Sequence, residues 1–217
     1  MKKMIREYSL PGVAALLPML FGAAVYARLP AALPTHWSFS GEADGFSAKA
    51  FVVFGLPLLM ALGSLIVRFF LDHDPRRADM YPLMRTLSVW LCPVFSLVLV
   101  PSTILIGLGC SISMTAVVFL ILGVMFLILG NYLPKCRRTY TMGIRLPWTL
   151  ASEENWRRTH RFAGKLWVLG GLLLLTAAVL KALSPAGMSG SVLAAAAILL
   201  ALLPPAVYSF LLFKKGI

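Results

Sequence analysis

Residues 131–165 read NYLPKCRRTYTMGIRLPWTLASEENWRRTHRFAGK and form a dense polar segment inside an otherwise membrane-hydrophobic chain. This polar segment carries eight Lys or Arg, two Trp, two Tyr and one His. Burying so many charges in hydrocarbon would cost several kcal/mol each, so the segment must lie in water or among lipid headgroups. We expect the polar segment to make the contacts on which the protein's function on this side of the membrane depends.

The composition around the polar segment is that of an integral membrane protein. Of 217 residues, 59% are hydrophobic and only 13% are charged, well outside the range of soluble domains. A membrane core of roughly 30 Å requires about 20 apolar residues per crossing. The sequence therefore predicts an all-α fold, a bundle of six transmembrane helices near residues 10–27, 51–71, 87–108, 112–133, 166–183 and 192–213.

The distribution of charge predicts an orientation. Basic residues favour the cytoplasmic side, and six spans with both termini inside leave only Arg28, Lys49 and Lys181 on the outer side. The net charge of +12 is then mostly a topology signal. Because these basic residues are dispersed over several short loops, we expect no direct nucleic-acid binding.

Three stretches follow from this topology. Residues 1–71 are expected to form a two-helix module with an extracytoplasmic loop at 28–50. Residues 72–86 form a cytoplasmic loop, in which the acidic residues are expected to pair with Arg76, Arg77 and Arg85 in a solvated turn. Residues 87–217 supply four helices and the cytoplasmic polar segment.

The outer loop is expected to be ordered and non-helical, since its prolines favour extended backbone and its glycines permit turns. His36, Glu42 and Asp44 are its candidates for a cation site. No second His or spaced carboxylate set completes a ligand shell, so we expect His36 to bond to loop backbone, and predict neither a metal site nor a cofactor.

The second half of the polar segment has the pattern of a helix start. Thr149 or Ser152 can cap it, and Glu153 and Glu154 place negative charge in its first turn. One face then carries Trp156, His160, Ala163 and Trp167, and another Arg157, Arg161 and Lys165. This pattern predicts an amphipathic helix along the inner interface that bends at Gly164 into the fifth span.

Two other functional classes remain as alternatives. A membrane enzyme would need His160 with Glu153 or Glu154 as acid and base, but no nucleophile accompanies them, so we predict no catalytic residue. A small-solute transporter or channel stays open as a second reading. A proton- or ion-coupled transporter is disfavoured, because apart from Arg68 near the end of one span no Asp, Glu, Lys, Arg or His lies deep in the predicted spans.

The two loops resemble the SdpI family of bacterial membrane proteins, with its associated N-terminal domain. The polar segment is similar to a family pattern of GN-x-x-x-K, a tyrosine, G-I-R-T-P-W-T-L and W-x-x-T-H-R; Leu146 departs from it, standing where the family commonly has Thr. The matching positions are Gly130, Asn131, Lys135, Tyr140, Gly143, Ile144, Arg145, Pro147, Trp148, Thr149, Leu150, Trp156, Thr159, His160 and Arg161. In the outer loop they are Pro34, His36, Trp37, Gly41, Asp44 and Gly45.

The resemblance implies a non-enzymatic immunity protein of the bacterial cell membrane that protects against a secreted killing peptide, the sporulation-delaying toxin. In the best-known system the protein also signals, by recruiting a small cytoplasmic transcriptional repressor. The matched outer-loop residues are then expected to bind the toxin. The partner-binding or signalling residues are expected to be Asn131, Lys135, Tyr140, Gly143, Arg145, Pro147, Trp148, Trp156, His160 and Arg161, with Arg145 foremost.

Overall fold

The structure is a computed structural model that describes the backbone of residues 2–217 and the side chains of residues 9–217. The side chains of Lys2, Lys3 and Arg6, which belong to the N-terminal basic residues predicted to lie inside, are outside the described residues. The prediction of six spans is confirmed within the described part. Helical stretches long and apolar enough to cross a membrane are Ser9–Arg28, Phe51–Asp72, Pro82–Gly107, Met114–Lys135, Glu153–Leu183 and Met188–Lys214.

The chain forms two compact units, the first made of Met1–Phe70 with Thr86–Thr115 and the second of Leu71–Arg85 with Ala116–Ile217. The elements that contribute to the first unit are helices α1 (Lys2–Leu16), α2 (Pro18–Val25), α3 (Leu56–Asp72) and α4 (Pro82–Gly107), and strands β1 (Ala32–Trp37) and β2 (Ala43–Ala48). The first span is divided between α1 and α2 at Leu17, because Pro18 has no N–H to continue the helical ladder.

The two strands correct the prediction of an all-α fold. β1 and β2 pair antiparallel, with Ala32 opposite Ala48 and Trp37 opposite Ala43. The connecting turn closes with a 2.8 Å bond from the Ser38 N–H to the Glu42 carbonyl. The prolines and glycines of this loop indicated non-helical backbone, but a bulged hairpin gives no regular alternation that would reveal its pairing.

The base of the hairpin is anchored in the first unit. Leu33 is fully buried in a core with Leu29, Val52 and Ile104. The Lys49 ammonium donates at 3.2 Å to the carbonyls that end the preceding turn, those of Tyr26 and Leu29. The hairpin is therefore a fixed extension of its helices.

The second unit contains most of α5 (Met114–Tyr132) and all of α6 (Pro147–Ala151), α7 (Glu153–Leu183) and α8 (Met188–Lys214). The 31 residues of α7 extend about 46 Å at 1.5 Å per residue, well beyond a membrane core of roughly 30 Å. Residues 153–165 thus begin the same uninterrupted helix that supplies the fifth span. The predicted interfacial helix turning at Gly164 is not seen as a separate element.

Paired glycines bring α5 and α7 into backbone contact. A Cβ on Gly164 would lie 2.7 Å from the Gly130 carbonyl oxygen, and one on Gly171 would lie 2.9 Å from the Gly123 carbonyl oxygen. The two glycines on α5 are seven residues apart, and so are the two on α7. This spacing corresponds to two turns of a packed helix. Small residues that let backbones approach are a common basis of helix association in membranes.

Candidate functional site

The hairpin brings together three of the outer-loop residues singled out from the sequence. His36 Nδ1 lies 2.5 Å from Asp44 Oδ1, so the partner of His36 is this carboxylate, and the expected bond to loop backbone is wrong. Gly45 stands opposite His36 in the register, and a Cβ there would lie 2.8 Å from the Cβ of His36. The absence of a side chain at Gly45 thus makes room for the histidine.

The other outer-loop candidates frame this pair. Pro34 is buried in β1 and Trp37 is half-buried at its end. Gly41 adopts a φ of +96° in the turn, a conformation that favours glycine. Phe39 is 56% exposed. Among the described residues, no group of three or more His, Cys, Asp or Glu is placed to hold a metal ion.

In the polar segment, Gly143, Trp156 and His160 form a tight stack. The rings of Trp156 and His160 lie 4.0 Å apart at 22°, and both residues are at most 2% exposed. Gly143 has a φ of +106°. A Cβ there would lie 2.6 Å from His160 Nε2 and 2.7 Å from the Trp156 ring, so this position requires glycine for both its backbone and its space.

The hydrogen bonds of His160 fix its protonation state. The Ile144 N–H donates to Nε2 at 2.9 Å, so Nε2 carries no proton. Nδ1 lies 2.8 Å from the Trp156 carbonyl oxygen and therefore donates to it. A neutral imidazole with both nitrogens engaged by backbone holds the 143–144 turn against α7 and has no free nitrogen for acid or base chemistry.

Asp74 anchors the beginning of the polar segment from the 72–85 loop. Its carboxylate accepts the Tyr140 N–H at 3.0 Å and the Thr141 hydroxyl, and also the Arg76 N–H at 2.8 Å. Asp74 is 4% exposed, so the expectation of a solvated turn is wrong here. The predicted pairing is confirmed for Asp72, which binds Arg85.

Tyr140 and Arg145 lie on the exposed side of this turn. The Arg145 guanidinium donates from Nη1 to the Tyr140 carbonyl at 2.7 Å, and the Tyr140 ring is 51% exposed. Asp74 thus fixes the backbone of Tyr140 by accepting the Tyr140 N–H. The Tyr140 carbonyl in turn fixes the Arg145 guanidinium. The residue that the sequence singled out as most functional is presented at the surface by a buried carboxylate 71 positions earlier in the chain.

The end of the polar segment is attached to α8. The Trp148 indole N–H donates to the Ser209 hydroxyl at 2.8 Å, and the ring packs on Phe210. Asn155, fully buried, donates to the Ser209 carbonyl at 3.0 Å and accepts from Thr159. Asn155 was missed from the sequence, where an Asn within a polar run gives no sign of burial.

The start of α7 follows the predicted pattern. Ser152 caps it by accepting the Asn155 N–H at 3.2 Å, and Arg157 and Arg158 both bind Glu154. The predicted faces are confirmed. On the apolar face, Trp156, His160 and Ala163 are buried and Trp167 is half-buried, while the basic residues Arg157, Arg161 and Lys165 are exposed. The buried face of α7 thus packs against other parts of the protein.

At Leu146, where the resembled family has Thr, the side chain supplies no cap for α6. The Thr149 hydroxyl takes part of that role by accepting the Leu146 N–H at 2.9 Å. Pro147 opens α6, where its missing N–H costs nothing. Asn131 lies exposed near the end of α5, and Lys135 lies exposed just after it. Burial raises the pKa of the neighbouring Cys136 thiol to about 11.

Two family models match the chain on these two regions. Residues 135–209 match the SdpI/YfhL protein family, and residues 13–61 match a domain of unknown function, DUF1648. The Immunity protein SdpI of Bacillus subtilis (strain 168) is 28% identical over 158 residues, which cover 73% of this chain and 74% of the relative. No solved structure matches. The predicted resemblance to the SdpI family is thus confirmed in both regions, and the chain, with its six candidate spans, is a multi-pass bacterial membrane protein.

Proposed function

We propose that this protein is a non-enzymatic immunity protein that protects the cell from a secreted, membrane-active antimicrobial peptide. The similarity to the Immunity protein SdpI supports a membrane immunity role. The single observation that carries the proposal is the ordered hairpin, which presents His36 and Asp44 on a rigid base. The engagement of both imidazole nitrogens of His160 further supports a role in recognition over catalysis.

The hairpin is the proposed contact for the peptide. In the predicted orientation it lies outside the cell, where a secreted peptide arrives first. Trp37 and the exposed ring of Phe39 offer apolar area beside the polar His36 and Asp44 pair. Such a combination of aromatic anchors and oriented polar groups is typical of surfaces that bind peptides.

The turn at 139–145 is the proposed contact for a cytoplasmic partner, a small transcriptional repressor of the kind that the resemblance implies. Arg145 and Tyr140 belong to the residue types that most often carry binding energy. Both are exposed, and Asp74 and His160 hold the turn that carries them. The partner would thus bind a preformed surface, so little binding free energy would be lost in ordering the turn.

The His36→Ala variant is expected to lose protection. Removing the imidazole leaves Asp44 without its partner and takes a polar contact from the hairpin, so the peptide concentration that cells withstand should fall about tenfold, as expected for ~1.4 kcal/mol of binding free energy. The measurement is membrane potential in toxin-sensitive cells that express the protein and are challenged with the sporulation-delaying toxin.

Glu42→Ala is the matched control, since it removes an exposed charge from the same hairpin. It should protect as well as the parent protein. Equal protection by well-expressed His36→Ala cells would exclude the hairpin contact. Collapse of the potential even with the parent protein would exclude immunity to this peptide.

The Arg145→Ala variant is expected to impair partner recruitment. Its guanidinium is the exposed cation of the turn, and truncating a binding arginine typically costs ~2 kcal/mol, or about thirtyfold in affinity. The measurement is the membrane-bound fraction of a fluorescent repressor from the best-known system, in cells exposed to the toxin.

Arg157→Ala is the control here, because it removes a guanidinium from the same segment whose charge Glu154 already pairs. Recruitment should persist in this variant. If Arg145→Ala recruits the repressor normally at equal expression, Arg145 has no role in the interaction.

A further inference from the structure

We propose that Arg76, Lys135 and Arg145 form a basic surface that binds the headgroups of anionic phospholipids. We call these three side chains the basic rim. Neither immunity nor repressor recruitment is needed for this proposal, which rests on the contacts between the 72–85 loop and the polar segment.

These two stretches run side by side in the second unit. The rings of Tyr81 and Tyr132 lie 5.4 Å apart. Arg137 Nη1 lies 3.3 Å from Asp79 Oδ1, and the Tyr140 N–H donates to Asp74. Successive residues of the polar segment therefore contact successive residues of the loop in reverse order, so the two stretches run antiparallel. The result is one composite surface that neither stretch forms alone.

The composite surface has more cations than its own carboxylates neutralise. Residues 72–85 and 131–146 contain seven Lys or Arg and three Asp. Asp72 pairs with Arg85, and Asp79 pairs with Arg137. The third acid, Asp74, is buried and occupied by backbone N–H groups and the Thr141 hydroxyl. The carboxylates of this surface are thus committed to groups outside the basic rim.

Each member of the basic rim is held by a ring or a carbonyl. The Arg76 guanidinium carbon lies 5.9 Å from the centre of the Tyr140 ring, and Lys135 Nζ lies 4.4 Å from the centre of the Tyr132 ring. Arg145 donates to the Tyr140 carbonyl. These contacts orient the three cations and leave their charge uncompensated, which is the electrostatic requirement of a site for a phosphate anion.

The position of the basic rim favours a lipid over a soluble acidic partner. Candidate spans end at Asp72 and Lys135 and another begins at Pro82, so Arg76 and Lys135 lie within a few residues of a span end. The paired rings of Tyr81 and Tyr132 are of the type that concentrates at headgroup depth. Basic pockets at the ends of membrane helices bind anionic headgroups in this setting.

The test is titration of the purified full-length protein, in an uncharged detergent, with dihexanoyl-phosphatidylglycerol and separately with dihexanoyl-phosphatidylcholine, followed by native mass spectrometry. Phosphatidylglycerol should bind more tightly than the zwitterionic lipid. In the triple variant Arg76→Gln, Lys135→Gln, Arg145→Gln this preference should weaken, by roughly fivefold for each cation removed.

Two further variants separate a built site from general charge and from misfolding. Lys165→Gln, Lys214→Gln, Lys215→Gln removes the same charge from exposed positions elsewhere in the second unit and should retain the preference. Arg76→Lys with Arg145→Lys keeps both charges and should retain most of it, even if the Gln variant proves unstable.

Three results would overturn the proposal. The two triple variants could weaken binding equally, which would mean diffuse attraction without a site. Inorganic phosphate could bind as tightly as the lipid, which would mean a site for a soluble anion. A polyglutamate peptide could displace phosphatidylglycerol from the basic rim at lower concentration than free lipid does, which would assign the surface to an acidic protein.

Discussion

Replacing Gly143 by Ala is expected to unfold the turn that carries Arg145 and to destabilise the protein by ~2–5 kcal/mol. Left-handed backbone costs an L-residue roughly 1–2 kcal/mol, and forcing an extra carbon into a packed site typically costs ~1–3 kcal/mol. The added Cβ would meet His160 and Trp156, which are buried and stacked. Thermal unfolding of the purified protein in detergent should show the loss.

Gly109→Ala is the matched control for this experiment. Gly109 has a φ of +96°, similar to that of Gly143, but a Cβ there would meet nothing within 4 Å. The control should show the backbone cost alone. Equal destabilisation by both substitutions would mean that the close packing of Gly143 against Trp156 and His160 adds nothing to the destabilisation.

Replacing Gly164 by Ala is expected to separate α5 from α7 and to lower the yield of folded protein severely. The new Cβ would lie 2.7 Å from the Gly130 carbonyl oxygen and 2.8 Å from Pro134. A backbone atom and a ring cannot rotate away, so the helices must move apart and lose contacts along their length, a cost of ~3 kcal/mol or more. Size-exclusion chromatography after a heating series would measure it.

Gly12→Ala controls for the general effect of glycine replacement in a helix. A Cβ at Gly12 meets nothing within 4 Å, and alanine has the higher helix propensity by about 1 kcal/mol, so this variant should fold at least as well as the parent. The double variant Gly130→Ala, Gly164→Ala should lose less than the two single losses combined, because one displacement of the helices accommodates both methyl groups. Wild-type thermal behaviour of Gly164→Ala would exclude the close crossing.

The parts of the fold that depend on local sequence were predictable. Six spans follow from hydropathy, because a membrane core sets a minimum apolar length. The start of α7 follows from Ser152 and the two glutamates after it, since a cap and the helix dipole act within one turn. The placement of Trp156 and His160 on one face of α7 follows from their spacing of four residues.

The parts that depend on contacts between distant stretches were not predictable in the same way. The pairing of β1 with β2 involves a bulge at His36, which hides the alternation of a strand. Asp74 looked like a solvated turn residue, because nothing in its own neighbourhood shows that Tyr140 will donate to it. The glycine pairs of α5 and α7 do leave a signal in the sequence, which is a spacing of seven residues on each helix.

The carboxylate of Asp74 also bears on where this protein can be divided. The region that matches the SdpI/YfhL family begins at residue 135, and a fragment starting at residue 86 would contain all of it together with α5 to α8. Such a fragment would still lack the acceptor for the Tyr140 amide and the Thr141 hydroxyl. Dividing the chain between the 72–85 loop and the region that matches the family would therefore remove Asp74 from the groups that donate to it.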